Sequence, residues 1–247
     1  MPRVSRQLAK SGYYHVMIRG AGRQLLFDCD SDRVEFLSIL KKGLSKYSVE
    51  LVAWCLMDNH VHLLLHIAGE ELALFMHYVE TCYAVRFNAR TGRVGPVFQG
   101  RFKSKAIEDD SYLLAAVRYI HNNPLELGVG REEYRWSSYF EYLNGPSITS
   151  TELVLGMLGG VPAFKEFSGK GSDGYSPRFN VRLTRAEIAS AVSDVLGGID
   201  PGDVKALPVQ KRDELIAQLS RAGLSARQIE RETGVGRGVI SRVLSRS

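Results

Sequence analysis

The chain has 247 residues, 45% of them hydrophobic and 24% charged, which is apolar material enough for one packed domain and a smaller companion. Its longest apolar runs stop far short of the roughly 18 to 20 residues of a membrane span, and the basic start "MPRVSRQLAKSGYYH" has no apolar core, so neither a membrane partner nor a secretory leader is expected. The three cysteines, Cys29, Cys55 and Cys82, are odd in number and widely spaced, which points to neither a disulfide framework nor a zinc knuckle and suits a reducing cytoplasm. The net charge of +5 is uneven: residues 178–247 hold 12 Lys+Arg against 8 Asp+Glu. A basic module of this kind favours a polyanionic partner, commonly nucleic acid.

In chain order, Tyr13–Ile18 is β-prone and reads as a strand, followed by a basic, glycine-containing loop at 19–23. Asp30–Lys46 has helical period, with Val34, Leu37, Leu40 and Leu44 as its apolar stripe and Asp30 or Ser31 as N-cap. Val49–Met57 and His60–Ile67 read as a hairpin turning at Asp58 and Asn59. Glu70–Arg90 reads as a long helix with Leu74, Val79 and Tyr83 among its apolar positions. Gly100–Ile107 is a fourth strand, and Asp109–Asn123 a helix that Pro124 stops. The order β-α-β-β-α-β-α predicts an α+β, ferredoxin-like (RRM-like) domain: an antiparallel sheet with helices on one face and the other face open. Such a sheet specifies no function by itself. The boundaries expected are 1–145 for this domain, 146–180 for a connecting region with short helices and a linker at Ser168–Pro177, and 181–247 for a small all-α domain.

The run "HVHLLLHI" (60–67) carries two alternating faces, because side chains i and i+2 of a strand point the same way. Val61, Leu63 and Leu65 can pack on the helices while His60, His62, Leu64 and His66 face the open side. Two imidazoles at this spacing can share a divalent ion, although a histidine pair alone is weak evidence against simple packing. In "RYIHNNP", Tyr119 and Asn123 stand one helical turn apart. A phenol can serve as a nucleophile and an amide oxygen as a hard metal ligand; a core tyrosine followed by a helix-ending Asn-Pro is the structural alternative. His121 points off the Tyr119 face.

With these pieces in view, the chain resembles the single-tyrosine transposases of the HUH endonuclease superfamily, especially the REP-associated tyrosine transposases. The matching stretches are "YYHVMIRGAGRQLLF", "AWCLMDNHVHLLL", "VFQGRFKSKAI", "YLLAAVRYIHNNPLELG" and "YRWSSY", in the family's order over roughly residues 10 to 145. The resemblance implies that His60 and His62 bind Mg2+ or Mn2+ with Asn123 as third ligand, and that Tyr119 attacks a phosphodiester to form a 5′-phosphotyrosine. It implies single-stranded DNA cut beside a hairpin and rejoined, in a bacterial cytoplasm and on the nucleoid when bound. Relatives differ on whether they act as monomers or as homodimers with exchanged helices. No GxxxxGK[ST] loop is present, so no nucleotide cofactor is expected. Tyr13 and Tyr14 precede the histidines, as the relaxase nucleophile does, but read as strand residues. His66 and His77 read as surface or packing histidines.

Arg19, Arg23, Arg101, Lys103 and Lys105 could line a single-stranded DNA track with Phe102 stacking on a base, or be ordinary solvated charge. At the end of the chain, "LSARQIERETGVGRGVISRVLSR" has helix-turn-helix form: Ser225 as N-cap, Gly234 at the turn, Ile229, Val235, Ile240 and Val243 as a small core. Its second helix would present Arg237, Ser241, Arg242 and Arg246 to duplex DNA. This region resembles the duplex-binding C-terminal domain of the replication initiator DnaA. A non-catalytic DNA-binding regulator and a replication-initiation-type nickase of the same superfamily are the alternatives to a transposase.

Overall fold

The computed structural model describes residues 8–170, 175, 177, 185–222 and 224–244, and its contacts divide the chain into two compact units, 1–179 and 180–247. Arg246 and half of the expected linker lie outside the described residues.

The first unit runs β1 (Tyr13–Arg19), α1 (Asp30–Lys46), β2 (Glu50–Leu56), β3 (His60–His66), α2 (Leu72–Thr91), β4 (Lys103–Ile107) and α3 (Asp110–Asn122). The strands form one antiparallel sheet in the order β2-β3-β1-β4, which is the ferredoxin-like topology. Strand alternation sorts the side chains as the sequence suggests. Tyr14, Val16 and Ile18 join Val61, Leu63 and Leu65 in a core shared with Phe36 and Leu40 of α1 and Phe75 and Val79 of α2. Each large aliphatic or aromatic side chain removed from water here contributes about 1.5–3 kcal/mol.

Three local readings are corrected. The buried stripe of α1 is Phe36, Ile39, Leu40, Gly43 and Leu44, whereas Val34 is 57% exposed. Gly43 sets this face: a Cβ there would come within 3.1 Å of the Phe75 ring and 3.2 Å of Tyr78, so the two helices meet at a residue without a side chain. The N-cap of α1 is Cys29, not Asp30 or Ser31. The Asp32 carboxylate, at the third helical position, accepts from the backbone N–H of Asp28 at 2.9 Å and of Cys29 at 3.3 Å, closing the helix start. On α2, Val79 and Tyr83 are buried, but Leu74 is 59% exposed.

The second face of the sheet is not open along its whole length. Val52, Ala53, Cys55, Leu64 and Ile107 pack against Leu113, Ala116, Val117 and Ile120 of α3, and further out against α4 (Tyr139–Asn144), α5 (Glu152–Leu158) and α6 (Val161–Gly169) through Tyr142, Val154 and Phe164. The apolar face of α3 needs a partner, and this side of the sheet supplies it. The helices of 146–170 therefore build core in the first unit. "YRWSSY" (134–139) ties this layer to β2. The Tyr134 hydroxyl donates to Leu56 O at 2.6 Å, and Ser138 Oγ accepts from Trp54 N–H at 2.9 Å. His121 completes the knot, with Nε2 at 2.8 Å from Ser138 Oγ. It is wholly buried among Tyr139, Tyr142 and Phe164, and burial pushes its pKa down to about 3.

Helix α3 starts on the Asp109 carboxylate, which accepts from Tyr112 N–H at 2.8 Å. It gives way to a 3-10 turn over Asn123–Leu127, and Asn123, the residue before Pro124, keeps helical dihedrals of φ −53° and ψ −39° rather than the extended geometry expected there.

In the second unit, α7 (Arg185–Leu196), a 3-10 turn at Pro201–Ala206, α8 (Val209–Arg221), α9 (Ala226–Thr233) and α10 (Arg237–Leu244) close on Val192, Val204, Ile216, Ile229, Val235 and Ile240. Ser225 caps α9 with a reciprocal bond to Gln228, and Gly234 at φ 67° ends it in the left-handed region that favours glycine.

Candidate functional site

His60 and His62 leave β3 on the face opposite the α1/α2 core, with ring centroids 5.0 Å apart and planes at 89°. Each has its Nδ1 held by a neighbour. His60 Nδ1 is 2.8 Å from Asn59 Oδ1, so it donates there and leaves Nε2 with its lone pair free for a ligand role. His62 Nδ1 is 2.9 Å from Nε2 of His15, a residue of the adjacent strand β1. His15 pairs directly with Leu64, which makes His62 its diagonal neighbour across the sheet. Nδ1 of His15 in turn lies 2.8 Å from the hydroxyl of Tyr175.

Tyr119 reaches this group from α3. Its ring centroid is 5.6 Å from His62, 5.7 Å from His15 and 5.6 Å from Tyr175, all within one chain. Asn123 follows at the end of α3, where its Nδ2 donates to Tyr119 O at 2.9 Å. Asn123 Oδ1 is buried and meets no donor among the described residues, yet the amide stands close enough to His60 and Tyr119 to bias the protonation of both. A cavity of about 170 Å³ opens beside Tyr119, bounded by Arg118, Asn123, Glu126 and Tyr175.

Burial dominates the electrostatics. It lowers the pKa of His60 to about 4 and of His15 to about 3, and holds His62 well below the ordinary imidazole range. The three rings are therefore neutral at neutral pH. Burial also raises the Tyr119 hydroxyl to about 12, with the Glu126 carboxylate adding to the rise and Asn123 opposing it.

The donor set can hold a divalent cation: two neutral imidazoles with their Nδ1 atoms tied back, and a buried amide oxygen that lacks a donor among the described residues. Among the described residues no trio of His, Cys, Asp or Glu gathers in metal-binding geometry.

The other singled-out residues fall in several places. Arg19 is the β1 partner of His60; Lys103 pairs with Met17 and Lys105 with His15. Lys105 Nζ donates to the Tyr112 hydroxyl, 4.5 Å from the Tyr112 ring centroid and 5.5 Å from that of Tyr175. Arg23 ends the short 3-10 turn after β1, and Arg101 is exposed just before β4. Phe102 is no base-stacking platform: it is buried in the α1/α2 core. His66 stacks on Tyr13 at 4.4 Å, at the end of β3 away from the pair, with Nδ1 3.4 Å from Glu50. Tyr14 is buried, its hydroxyl accepting from Ala9 N–H at 2.7 Å. Exposed His77 lies on α2. In the second unit Arg237 Nε donates to Glu230 at 2.9 Å, while Ser241 and Arg242 are exposed.

Sequence reasoning missed His15 and Tyr175. The signal for His15 was its alternation with Tyr13, Met17 and Arg19 on one strand face. Tyr175 sat in a Ser/Gly-rich stretch that carried no signal.

The fold is that of a tyrosine transposase. The first unit has the fold of a REP-associated tyrosine transposase solved bound to a REP hairpin, at a TM-score of 0.50 and 17% identity, covering 61% of this chain and 92% of that one. Residues 9–123 match the family described as IS200-like transposases. A REP-associated tyrosine transposase of Haemophilus influenzae is 27% identical over 141 residues, which cover 52% of this chain and 78% of the relative. No helix among the described residues is long and apolar enough to cross a membrane.

Proposed function

We propose that this transposase cuts and rejoins single-stranded DNA beside hairpins through Tyr119, with Mg2+ or Mn2+ held by His60 Nε2, His62 Nε2 and Asn123 Oδ1. The observation that carries this reading is the approach of Tyr119 to the histidine pair within one chain, 5.6 Å between the Tyr119 and His62 rings, with Asn123 Oδ1 buried beside them.

Tyr119 Oη attacks phosphorus in line, forming the tyrosyl O–P bond as the bond to the 3′ oxygen breaks. The hydroxyl proton leaves to a base, the 3′ oxygen departs as a hydroxyl, and the 5′ end stays on Tyr119. Attack of a 3′-OH on this linkage reverses the step and frees Tyr119, so strands rejoin without a nucleotide cofactor. When bound, the divalent ion polarises the scissile phosphate and offsets the charge developing on the 3′ oxygen. Burial keeps the imidazoles neutral, and Asn123, bonded to the carbonyl of Tyr119, fixes the end of the helix that aims the nucleophile. Arg19, Lys103 and Lys105, on the same sheet face, attract the phosphate backbone. The second unit holds duplex DNA through the exposed face of α10, with Ser241 and Arg242.

The test is a labelled single-stranded hairpin incubated with the full chain and Mn2+. A covalent protein–DNA adduct that vanishes in Tyr119→Phe and on adding EDTA is expected. No adduct over varied hairpins, with duplex binding intact, would favour a non-catalytic regulator; cleavage that survives EDTA would remove the metal from the scheme.

A further inference from the structure

We propose that His15 and Tyr175 are positioning residues that fix His62 in the one tautomer able to bind a metal ion. This rests on the reading of His60 and His62 as ligands. The chain of contacts is short: His62 Nδ1 lies 2.9 Å from His15 Nε2, and His15 Nδ1 lies 2.8 Å from the Tyr175 hydroxyl. All three side chains are buried, with exposures of 3% for His62, 0% for His15 and 6% for Tyr175.

A neutral imidazole has one N–H and one lone pair, so the assignment at one ring dictates the next. For His62 to offer its Nε2 lone pair, Nδ1 must carry the hydrogen and donate to His15 Nε2. His15 must then carry its hydrogen on Nδ1 and donate to the Tyr175 oxygen. The opposite arrangement, with His15 Nε2–H donating to His62 Nδ1, puts the His62 hydrogen on Nε2 and blocks the ligand position. The Tyr175 hydroxyl can donate or accept, so it admits the first arrangement, in which it accepts from His15 Nδ1. His60 needs no such relay, because Asn59 Oδ1 can only accept.

This is the outer-shell bond usual for metal-binding histidines, with a second histidine in place of the common carboxylate or carbonyl. Tyr175 is itself held in place: its ring meets Tyr112 at 4.8 Å and Tyr119 at 5.6 Å, and the Lys105 ammonium stands 5.5 Å from its centre.

The experiment measures Mn2+ affinity of the full chain by the electron paramagnetic resonance signal of free Mn2+, without DNA. Tyr175→Phe and His15→Leu should each weaken binding by about 10- to 100-fold, the range for loss of such an outer-shell partner. His15→Gln keeps an acceptor toward His62 and a donor toward Tyr175, and should bind Mn2+ more tightly than His15→Leu. Melting curves of the metal-free variants separate this from general loosening. Wild-type Mn2+ affinity in Tyr175→Phe and His15→Leu, with affinity lost in His62→Ala, overturns the positioning role alone. Unchanged affinity in His62→Ala overturns the metal reading and this role together. A loss that tracks a lower metal-free melting temperature and is not relieved in His15→Gln also overturns it.

Discussion

Tyr119 stands edge-on to His62, their ring centroids 5.6 Å apart and their planes at 86°. The two belong to different layers, α3 and β3, so the spacing between Tyr119 and the histidine pair is set by how α3 packs on the sheet. A phosphodiester admitted there meets a tyrosine that burial has made a weaker acid.

With its pKa near 12, the Tyr119 hydroxyl is overwhelmingly protonated at neutral pH. If the phenolate is the attacking form, the rate of adduct formation should climb about tenfold per pH unit between roughly pH 7 and 9. Single-turnover rates on a labelled hairpin give this profile. A flat profile would mean that deprotonation is not part of the slow step.

Stability should fall on acidification. His15 and His121 have folded pKa values of about 3 and His60 about 4, all below the ordinary imidazole value of 6.5, so the unfolded chain takes up these protons first. The contribution is present in full above about pH 6.5 and is lost as pH drops toward about 4 for His60 and about 3 for His15 and His121, by up to about 1.4 kcal/mol per pH unit for each group. Urea midpoints at pH 7, 6, 5 and 4.5 measure the slope, and His121→Gln should reduce it.

Ser138→Ala removes the acceptor of Trp54 N–H and the partner of His121 Nε2, both buried. The expected loss is about 1–3 kcal/mol by thermal unfolding, the cost of leaving buried polar groups unpaired. Tyr119 touches neither group, so adduct formation should persist below the melting range.

Arg242→Ala should weaken duplex binding and lower the salt-dependence exponent by about 0.9, as expected for one lost phosphate contact. Fluorescence anisotropy against duplex DNA at several salt concentrations measures it. Adduct formation on a single-stranded hairpin, assigned to the other unit, should be unaffected.

Much of this was legible in the sequence. The alternation in "HVHLLLH" placed His60 and His62 on one face because the strand period is 2, and α1 begins and ends at the residues its pattern suggests, Asp30 and Lys46. What failed depended on neighbours that a local pattern does not name. Val34 was read into the α1 stripe because nothing local shows that Phe75 and Tyr78 close on Gly43. Phe102 was read as a base platform because an aromatic between basic residues gives no sign of which way it faces. His15 acquires meaning only once β1 lies beside β3, and Tyr175 only once the chain returns over the sheet after α6.

The strand order also grades the site by how readily its parts open. β1 and β3 are the two inner strands, bonded on both edges, so the histidines sit on backbone whose amides should exchange with solvent most slowly. Asn123 instead begins a short 3-10 turn at whose far side Leu125 and Leu127 are half exposed, where local fraying is cheap. Loosening at that turn would carry Asn123 away from His60 and slacken the end of α3 while the sheet stays intact. Hydrogen exchange should show the half of the site that aims the nucleophile opening on a faster clock than the half that holds the imidazoles.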